Sequence, residues 1–281
     1  ALGGGCNDIE TRLLQTPMGT ILIFHLLVDC RDAMGANAVN TMAERVSPQI
    51  EALTGGRVHL RILSNLAAHR LARVEATFTP EELSNDGTHE DGSNIIDGIL
   101  EAHVFAEEDP FRAATHNKGI MNAISSVALA CGQDWRAIEA GCHAWTSLEH
   151  GRYTSMSKWS KDDEGNLVGT MELPMAVGIV GGASKVHPVA QANLSILGVE
   201  SAQELAGIMV CAGLAQNLGA LRALSTNGIQ AGHMKLHSKN MAVSAGAIGE
   251  EIELLSQRIQ QHQGVRTQTM AEQWLNELRQ G

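Results

Sequence analysis

Apolar positions recur with two periods along this chain, and the change of period maps its elements. Residues 9–14 and 20–28 read as strands around a Thr16-Pro17-Met18-Gly19 turn. The second strand is almost wholly apolar and is expected to be central in a sheet, with His25 as a satisfied interior histidine. Val39, Met42, Val46 and Ile50 then fall at helical spacing, with Gly55-Gly56 as the stop. Strands are expected at 58–63 and 71–78, bridged by Ser64-Asn65-Leu66, and Thr79-Pro80 reads as a helix entry. Two strands, a helix and two more strands predict a small α/β layer with a split sheet, ferredoxin-like rather than doubly wound.

The polar stretch 85–93 marks a boundary, which divides the chain into 1–84, 85–227 and 228–281. Beyond it the pattern predicts helices over 95–106, 119–131 and 134–148, then a hairpin of 153–159 and 167–175 around an acidic turn. Gly178, Gly181 and Gly182 break the pattern into a loop, read either as a plain tight connection or as backbone laid against a ligand. Helices follow over 188–197, 202–217, 229–247, 250–262 and 270–278, the last two rich in polar residues. The fold class is α+β, with a helical C-terminal lobe.

Composition narrows the function classes. A formal charge of −11 and 3% aromatic residues argue against a nucleic-acid partner, which needs a basic surface and stacking platforms. No uninterrupted apolar run approaches membrane-span length, so no membrane partner is expected. Five cysteines without CxxC spacing, four of them in apolar or Ala/Gly-rich surroundings, read as reduced, buried thiols of a cytoplasmic protein. In an acidic chain, a cation inside a polar motif gains weight as a binder of anionic substrate.

The densest such motif is the run from Arg112 to Asp134. Ile120, Ile124 and Val127 give its helix an apolar face, ended by Gly132, while Lys118 and Asn122 lie four apart on one face. One reading is an amine poised to polarise a carbonyl oxygen. The other is a solvated helix start with Asn117 as its cap. Separately, His233 and His237 have the i, i+4 spacing of a helical zinc site but lack the glutamate of HExxH and a third ligand, so no metal is expected. Asp32-Ala33-Met34-Gly35-Ala36-Asn37 reads by itself as a helix start. No GxGxxG follows a first strand, which excludes a Rossmann site.

Taken together, Thr115-His116-Asn117-Lys118-Gly119-Ile120-Met121-Asn122 with Gly132-Gln133-Asp134, the stretch from Asp32 to Asn37, and the stretch from Gly228 to Met234 resemble three motifs of the class II (bacterial) 3-hydroxy-3-methylglutaryl-coenzyme A reductases, in that family's order. The resemblance implies a non-Rossmann cofactor domain at 1–84 inserted in a larger catalytic domain at 85–227, and a C-terminal flap at 228–281. It implies NADH- or NADPH-dependent interconversion of hydroxymethylglutaryl-coenzyme A with mevalonate and coenzyme A. NADH is favoured because Asp32 could disfavour a 2′-phosphate, although Arg31 beside it could welcome one.

By the same resemblance Lys118 is the oxyanion group, Asp134 tunes it, and His233 protonates the departing thiolate. Arg112 and Asn122 hold the substrate, and Asp32, Met34, Gly35, Ala36, Asn37 and Asn65 hold the cofactor. A straight helix would keep Lys118 and Asp134 apart within one chain, so they pair only across a subunit interface or if the helix bends or ends early. The resemblance implies sites between subunits, hence a homodimer or larger assembly. The family's glutamate motif has no match between Ala1 and Asp32. Residues 1–281 alone are therefore expected to be inactive. Two other readings remain beside reductase: a non-catalytic binding or assembly remnant of the fold, and a metal hydrolase built on the histidines.

Overall fold

A computed structural model describes residues 3–226, 228–262 and 264–280, those at 229–236 and 280 without their side chains. β1 (Gly5–Thr16) and β2 (Gly19–Asp29) form an antiparallel hairpin closed by Pro17-Met18. This sheet has two strands, so β2 is not central, and Ile21 and Leu22 are exposed. His25 is half-buried and accepts a bond from Arg12.

α1 (Ala36–Thr54) starts at Gly35 and stops at Gly55. Residues 58–63 do not form the expected strand. Side chains of α1 take the place of a ladder there: Glu51 accepts the Val58 N–H and Asn40 accepts the Leu63 N–H, both at 2.8 Å.

β3 (Leu71–Phe78) also leaves the expected arrangement. α2 (Pro80–Leu83) follows, with a capping box between Thr79 and Glu82. Then come α3 (His89–Glu108), α4 (Pro110–Ala130), α5 (Trp135–His150), β4 (Ser157–Lys161) and β5 (Leu167–Pro174). β5 sits between β3 and β4 and pairs antiparallel with both, so the ferredoxin-like split sheet does not form. Leu71 of β3 pairs with Pro174 and Phe78 with Leu167, an unbroken register over the whole strand. Pairing with β5 buries Ala72 and packs Val74, Ala76 and Phe78 on the core.

α6 (Gly182–Val186), α7 (Pro188–Leu197) and α8 (Ala202–Ser225) complete the main body. The core joins Ile96 and Ile99 of α3, Ile120 and Ile124 of α4, Met209 and Leu221 of α8, and Leu167 and Leu173 of β5. α8 is long and apolar enough to cross a membrane by length and composition. Its apolar side chains instead fill this core, with Leu205, Met209 and Val210 fully buried. α4 and α8 approach closely at Gly213, where a Cβ would stand 2.8 Å from Ile124 Cδ1.

α9 (Ile229–Ser244), α10 (Glu250–Gln261) and α11 (Gln268–Gln280) pack on one another through a second core of Met241, Ala242, Leu255, Ile259 and Leu275. All five cysteines are free, but only Cys131 and Cys142 are buried; Cys6 and Cys211 are exposed and Cys30 is half-buried. Burial pushes the Cys142 thiol up to about 12. Apolar neighbours in sequence did not translate into burial where the strand or helix turns that face to solvent.

Candidate functional site

α4 begins at Pro110, well before the expected start at 119, because the Asp109-Pro110 pair opens it. The Asp109 carboxylate accepts the N–H groups of Phe111 (3.3 Å) and Arg112 (3.0 Å), and Pro110 sits at the first helical position. Asn117 therefore lies inside the helix and is not its cap. It is fully buried, donating to Thr154 O at 2.8 Å and accepting the Met156 N–H at 2.9 Å.

His116 beside it is buried too. Its Nε2 lies 2.9 Å from Ser155 Oγ, 3.0 Å from Ser157 Oγ and 3.1 Å from Asn217 Nδ2. The Asn217 amide is oriented by Trp159, whose indole N–H donates to Asn217 Oδ1 at 2.7 Å. Asn217 thus donates to His116, making Nε2 an acceptor. Burial, aided by Arg112 and His103, lowers the His116 pKa to about 3, so the ring is neutral.

This buried network fixes which way α4 faces. One residue on, Lys118 is exposed, and so is Asn122 one turn later. Both line a groove of about 310 Å³ between α4 and α5, shared with Met121, Ser125, Trp135 and Glu139. Arg112 is half-buried and lies close enough to His116 to depress its protonation. Asp134 caps α5, its Oδ1 accepting the Ala137 N–H at 3.1 Å. Among the described residues Lys118 and Asp134 form no ion pair, and α4 continues past Lys118 for about 18 Å at ~1.5 Å per residue. Lys118 and Asn122 are brought together; Asp134 stands at the other end of the groove's helix pair.

The second expected cluster lies at the head of α1. Gly35 adopts φ 102°, no side chain caps the helix, and its first turn holds no acidic residue. A Cβ at Gly35 would stand 2.2 Å from Cys30 Sγ, so only glycine fits. Asp32 Oδ1 accepts the Ala202 N–H at 2.9 Å at the start of α8, and Asp32 O accepts from Ile179 and Val180. Ala36 is half-buried and Asn37 exposed. Asn65 is exposed, and its carbonyl packs on α5 at Gly141, where a Cβ would come within 2.5 Å of it. His233 lies on α9, but its side chain is outside the described residues, so the His233–His237 spacing set aside above as a metal site lies outside them too.

Three residues connect these clusters: Arg70, which sequence reasoning passed over, and Gln133 and Gly178, which it named without these partners. Arg70 donates to the carbonyls of Ala33, Met34, Arg31 and Val177. Gln133, in the same motif as Asp134, bonds both the N–H and the C=O of Gly178. Gly178 in turn lies against Met34, where a Cβ would stand 2.4 Å from the Met34 nitrogen. The glycine-rich stretch was a signal for close backbone approach, and the backbone it approaches is the 33–34 loop.

A sequence model of the family described as hydroxymethylglutaryl-coenzyme A reductase matches residues 1–238. The chain is 56% identical over 252 residues to the 3-hydroxy-3-methylglutaryl-coenzyme A reductase of Archaeoglobus fulgidus, covering 90% of this chain and 56% of that protein. It is 40% identical over 237 residues to the probable 3-hydroxy-3-methylglutaryl-coenzyme A reductase of Borreliella burgdorferi, covering 84% of this chain and 53% of that protein. Among solved structures, it resembles the class II 3-hydroxy-3-methylglutaryl-CoA reductase of Streptococcus pneumoniae bound to NADPH in open conformations. That match has a TM-score of 0.77 at 41% identity, over 99% of this chain and 66% of the other. A second structure of a 3-hydroxy-3-methylglutaryl-coenzyme A reductase from the same organism matches with TM-score 0.77, over 99% of this chain and 65% of the other. The chain thus spans about half the length of the curated relatives it matches.

Proposed function

Because the chain belongs to the hydroxymethylglutaryl-coenzyme A reductase family, we propose that the protein carrying it interconverts 3-hydroxy-3-methylglutaryl-coenzyme A with mevalonate and coenzyme A, using a nicotinamide dinucleotide. The observation that carries this reading is the groove beside α4. Lys118 and Asn122 face it together, while His116 and Asn117 between Arg112 and Lys118 are buried in the core. A mobile ammonium on a rigid helix, beside a carboxamide, suits a developing oxyanion and a hydroxylated acyl group.

Reducing a thioester to an alcohol releases a thiolate and creates an alkoxide, and each takes a proton. In this reading Lys118 stabilises the oxyanion, Asn122 and Arg112 hold the acyl end, and Asp134 sets the charge state of the lysine. His233 on α9 delivers the thiolate's proton, its near-neutral pKa class suiting that task. The separate core of α9, α10 and α11 supports 228–281 as a flap that brings His233 over the thioester. Residues 1–84 would hold the cofactor and 85–227 the acyl group, with β3 reaching from the first into the sheet of the second.

The head of α1 fits a dinucleotide's pyrophosphate: uncapped N–H groups, no carboxylate in the first turn, and glycine where a side chain would collide. Asp32, Met34, Gly35, Ala36 and Asn37 would line that site, with Asn65 at its α5 side. When bound, the nicotinamide supplies hydride, and the four-electron step from thioester to alcohol would take two such deliveries, one from each of two dinucleotides. NADH remains the favoured cofactor through Asp32, although one of its carboxylate oxygens is committed to Ala202, and the NADPH-bound relative keeps the phosphorylated form in the comparison. The length of α4 beyond Lys118 supports a site completed by Asp134 of a second copy, hence a homodimer or larger assembly. Five free thiols support a cytoplasmic setting.

The test is turnover of the full-length protein with hydroxymethylglutaryl-coenzyme A and either dinucleotide. Oxidation of the nicotinamide with release of free coenzyme A thiol supports the reading. Absence of oxidation with both dinucleotides, in protein that binds the thioester, would leave a non-catalytic binding role.

A further inference from the structure

Arg70 occupies a position that neither the motifs nor the family comparison singles out. Its Nη1 donates to the carbonyls of Ala33 and Met34, each at 2.9 Å. Its Nη2 donates to Val177 O at 2.6 Å and to Arg31 O at 3.2 Å. Four carbonyls from two loops converge on one guanidinium. Carbonyl oxygens crowded together repel one another unless a cation sits among them, and the planar fork of arginine can serve several at once. Burial pulls the Arg70 pKa down, while Cys30, Asp29 and Asp32 hold it up. Arg70 is itself anchored: its N–H donates to Ala67 O and its carbonyl accepts the Met175 N–H, both at 2.9 Å, where β3 meets β5.

The consequence follows from peptide geometry. In a trans peptide the carbonyl of one residue and the N–H of the next point in opposite directions. Turning the Ala33 and Met34 carbonyls toward Arg70 therefore turns the N–H groups of Met34 and Gly35 away from it. In sequence these lead directly into the uncapped N–H groups of the first turn of α1. The geometry points to Arg70 as the positioning residue for the pyrophosphate of the dinucleotide: by holding the Ala33 and Met34 carbonyls on one side, it presents the N–H groups of Met34 and Gly35 as an extension of the helix terminus, while those of Arg31 and Ala33 stay committed to Asp29 and Cys30. This rests on the dinucleotide reading above. Arg70 touches the loop rather than the ligand, so its influence is on affinity for the dinucleotide and not on the thioester.

The experiment uses the full-length protein and Arg70→Lys, which keeps the charge but loses the fork. NADH and NADPH are titrated by nicotinamide fluorescence, coenzyme A binding is measured by calorimetry, and hydrogen exchange is followed over residues 31–38. Expected are dinucleotide affinity weaker by about tenfold, coenzyme A affinity within about twofold of wild type, and faster exchange in 33–38. A folded Arg70→Lys protein with wild-type dinucleotide affinity overturns the proposal, and so does an equal loss of both ligands, the mark of a merely structural residue. A measurement on wild type covers the case in which the variant does not fold. Inorganic pyrophosphate should compete with the dinucleotide and slow exchange at 34–38, and failure to do so also overturns it. If wild type binds no dinucleotide at all, the functional reading fails instead; pyrophosphate protection and the exchange rates then decide the role of Arg70 by themselves.

Discussion

Gln133 holds Gly178 by both sides of its backbone: Nε2 donates to Gly178 O at 2.8 Å and Oε1 accepts the Gly178 N–H at 2.9 Å. The same Nε2 donates to Cys131 O at 2.9 Å, so one side-chain amide ties the end of α4 to the loop under Met34. Gln133→Leu keeps the bulk and removes all three bonds, leaving backbone groups of the buried Cys131 and Gly178 unpaired. We expect a loss of roughly 1–3 kcal/mol, measured by denaturant unfolding. Gln133→Glu still accepts from Gly178 but sets an acceptor-only oxygen against the Cys131 and Gly178 carbonyls, so it should cost at least as much as Gln133→Leu. Unchanged stability in Gln133→Leu would mean that water takes over those bonds.

Lys118 is exposed on a helix whose other faces are locked, so removing its side chain should spare the fold. Lys118→Ala is expected to lower turnover of the full-length protein by about 10²- to 10³-fold, with its melting temperature unchanged. If Asp134 acts across a subunit boundary, mixing Lys118→Ala with Asp134→Asn protomers should restore activity that neither has alone. Mixed dimers that stay inactive would place both residues in one chain's site.

The buried His116 makes acid stability a measurable property of the α4 network. Its folded pKa, about 3, lies below the ordinary 6.5, so the unfolded chain binds a proton that the folded chain refuses. The contribution is fully present above pH 6.5 and is lost progressively as pH falls toward 3, with a slope of at most about 1.4 kcal/mol per pH unit. His103, 6.3 Å away ring to ring, is shifted in the same direction by burial. Carboxylates held low, such as Glu251 beside Arg279, add a slope of the same sign. Comparing wild type with His116→Gln isolates the histidine: the variant's stability should fall less steeply between pH 6.5 and 4. Parallel curves would show that His116 does not resist protonation.

Two glycines near the site should respond oppositely to a methyl group. At Gly141 a Cβ would come within 2.5 Å of Asn65 O, which is backbone and has no rotamer to escape into. Gly141→Ala should cost about 1–3 kcal/mol and displace the Asn65 segment from α5. At Gly119 a Cβ meets nothing within 4 Å, and the residue is in mid-helix next to Lys118. Gly119→Ala should stabilise α4 by about 0.5–1 kcal/mol. Thermal melts of the two variants check both signs.

Local chemistry was legible in the sequence wherever a signal acts over a few residues. The hairpin of β1 and β2, the Thr79-Pro80 helix entry, the Gly55 stop and the bounds of α7 all follow from short-range turn and capping rules. What escaped depends on partners far along the chain. Residues 58–63 have strand-like composition, yet α1 side chains claim their backbone donors. β3 alternates as expected, but nothing local specifies that its neighbour is β5, about a hundred residues later. In the candidate site, the exposed Lys118 and Asn122 could be read from their spacing. The depth of His116 and Asn117 could not, because it is set by Ser155, Ser157 and Asn217 around the first and by Thr154 and Met156 around the second. Arg70 carries no local signal; only the convergence of two loops gives it a role.

The Asp32–Ala202 bond spans 170 residues, and the 31–34 loop owes its other long-range ties to Arg70, Gly178, Ile179 and Val180. This has a consequence for the order of events at synthesis. At ~5–20 residues per second, the loop leaves the ribosome roughly 10–30 s before the start of α8 that Asp32 holds. The hairpin of β1 and β2 can close at once, since its partners are adjacent, but the loop after it has nothing to settle on. A loop made before its partners is therefore among the last of the described segments to take its final shape, and it does so only when residues between 70 and 202 have assembled around it.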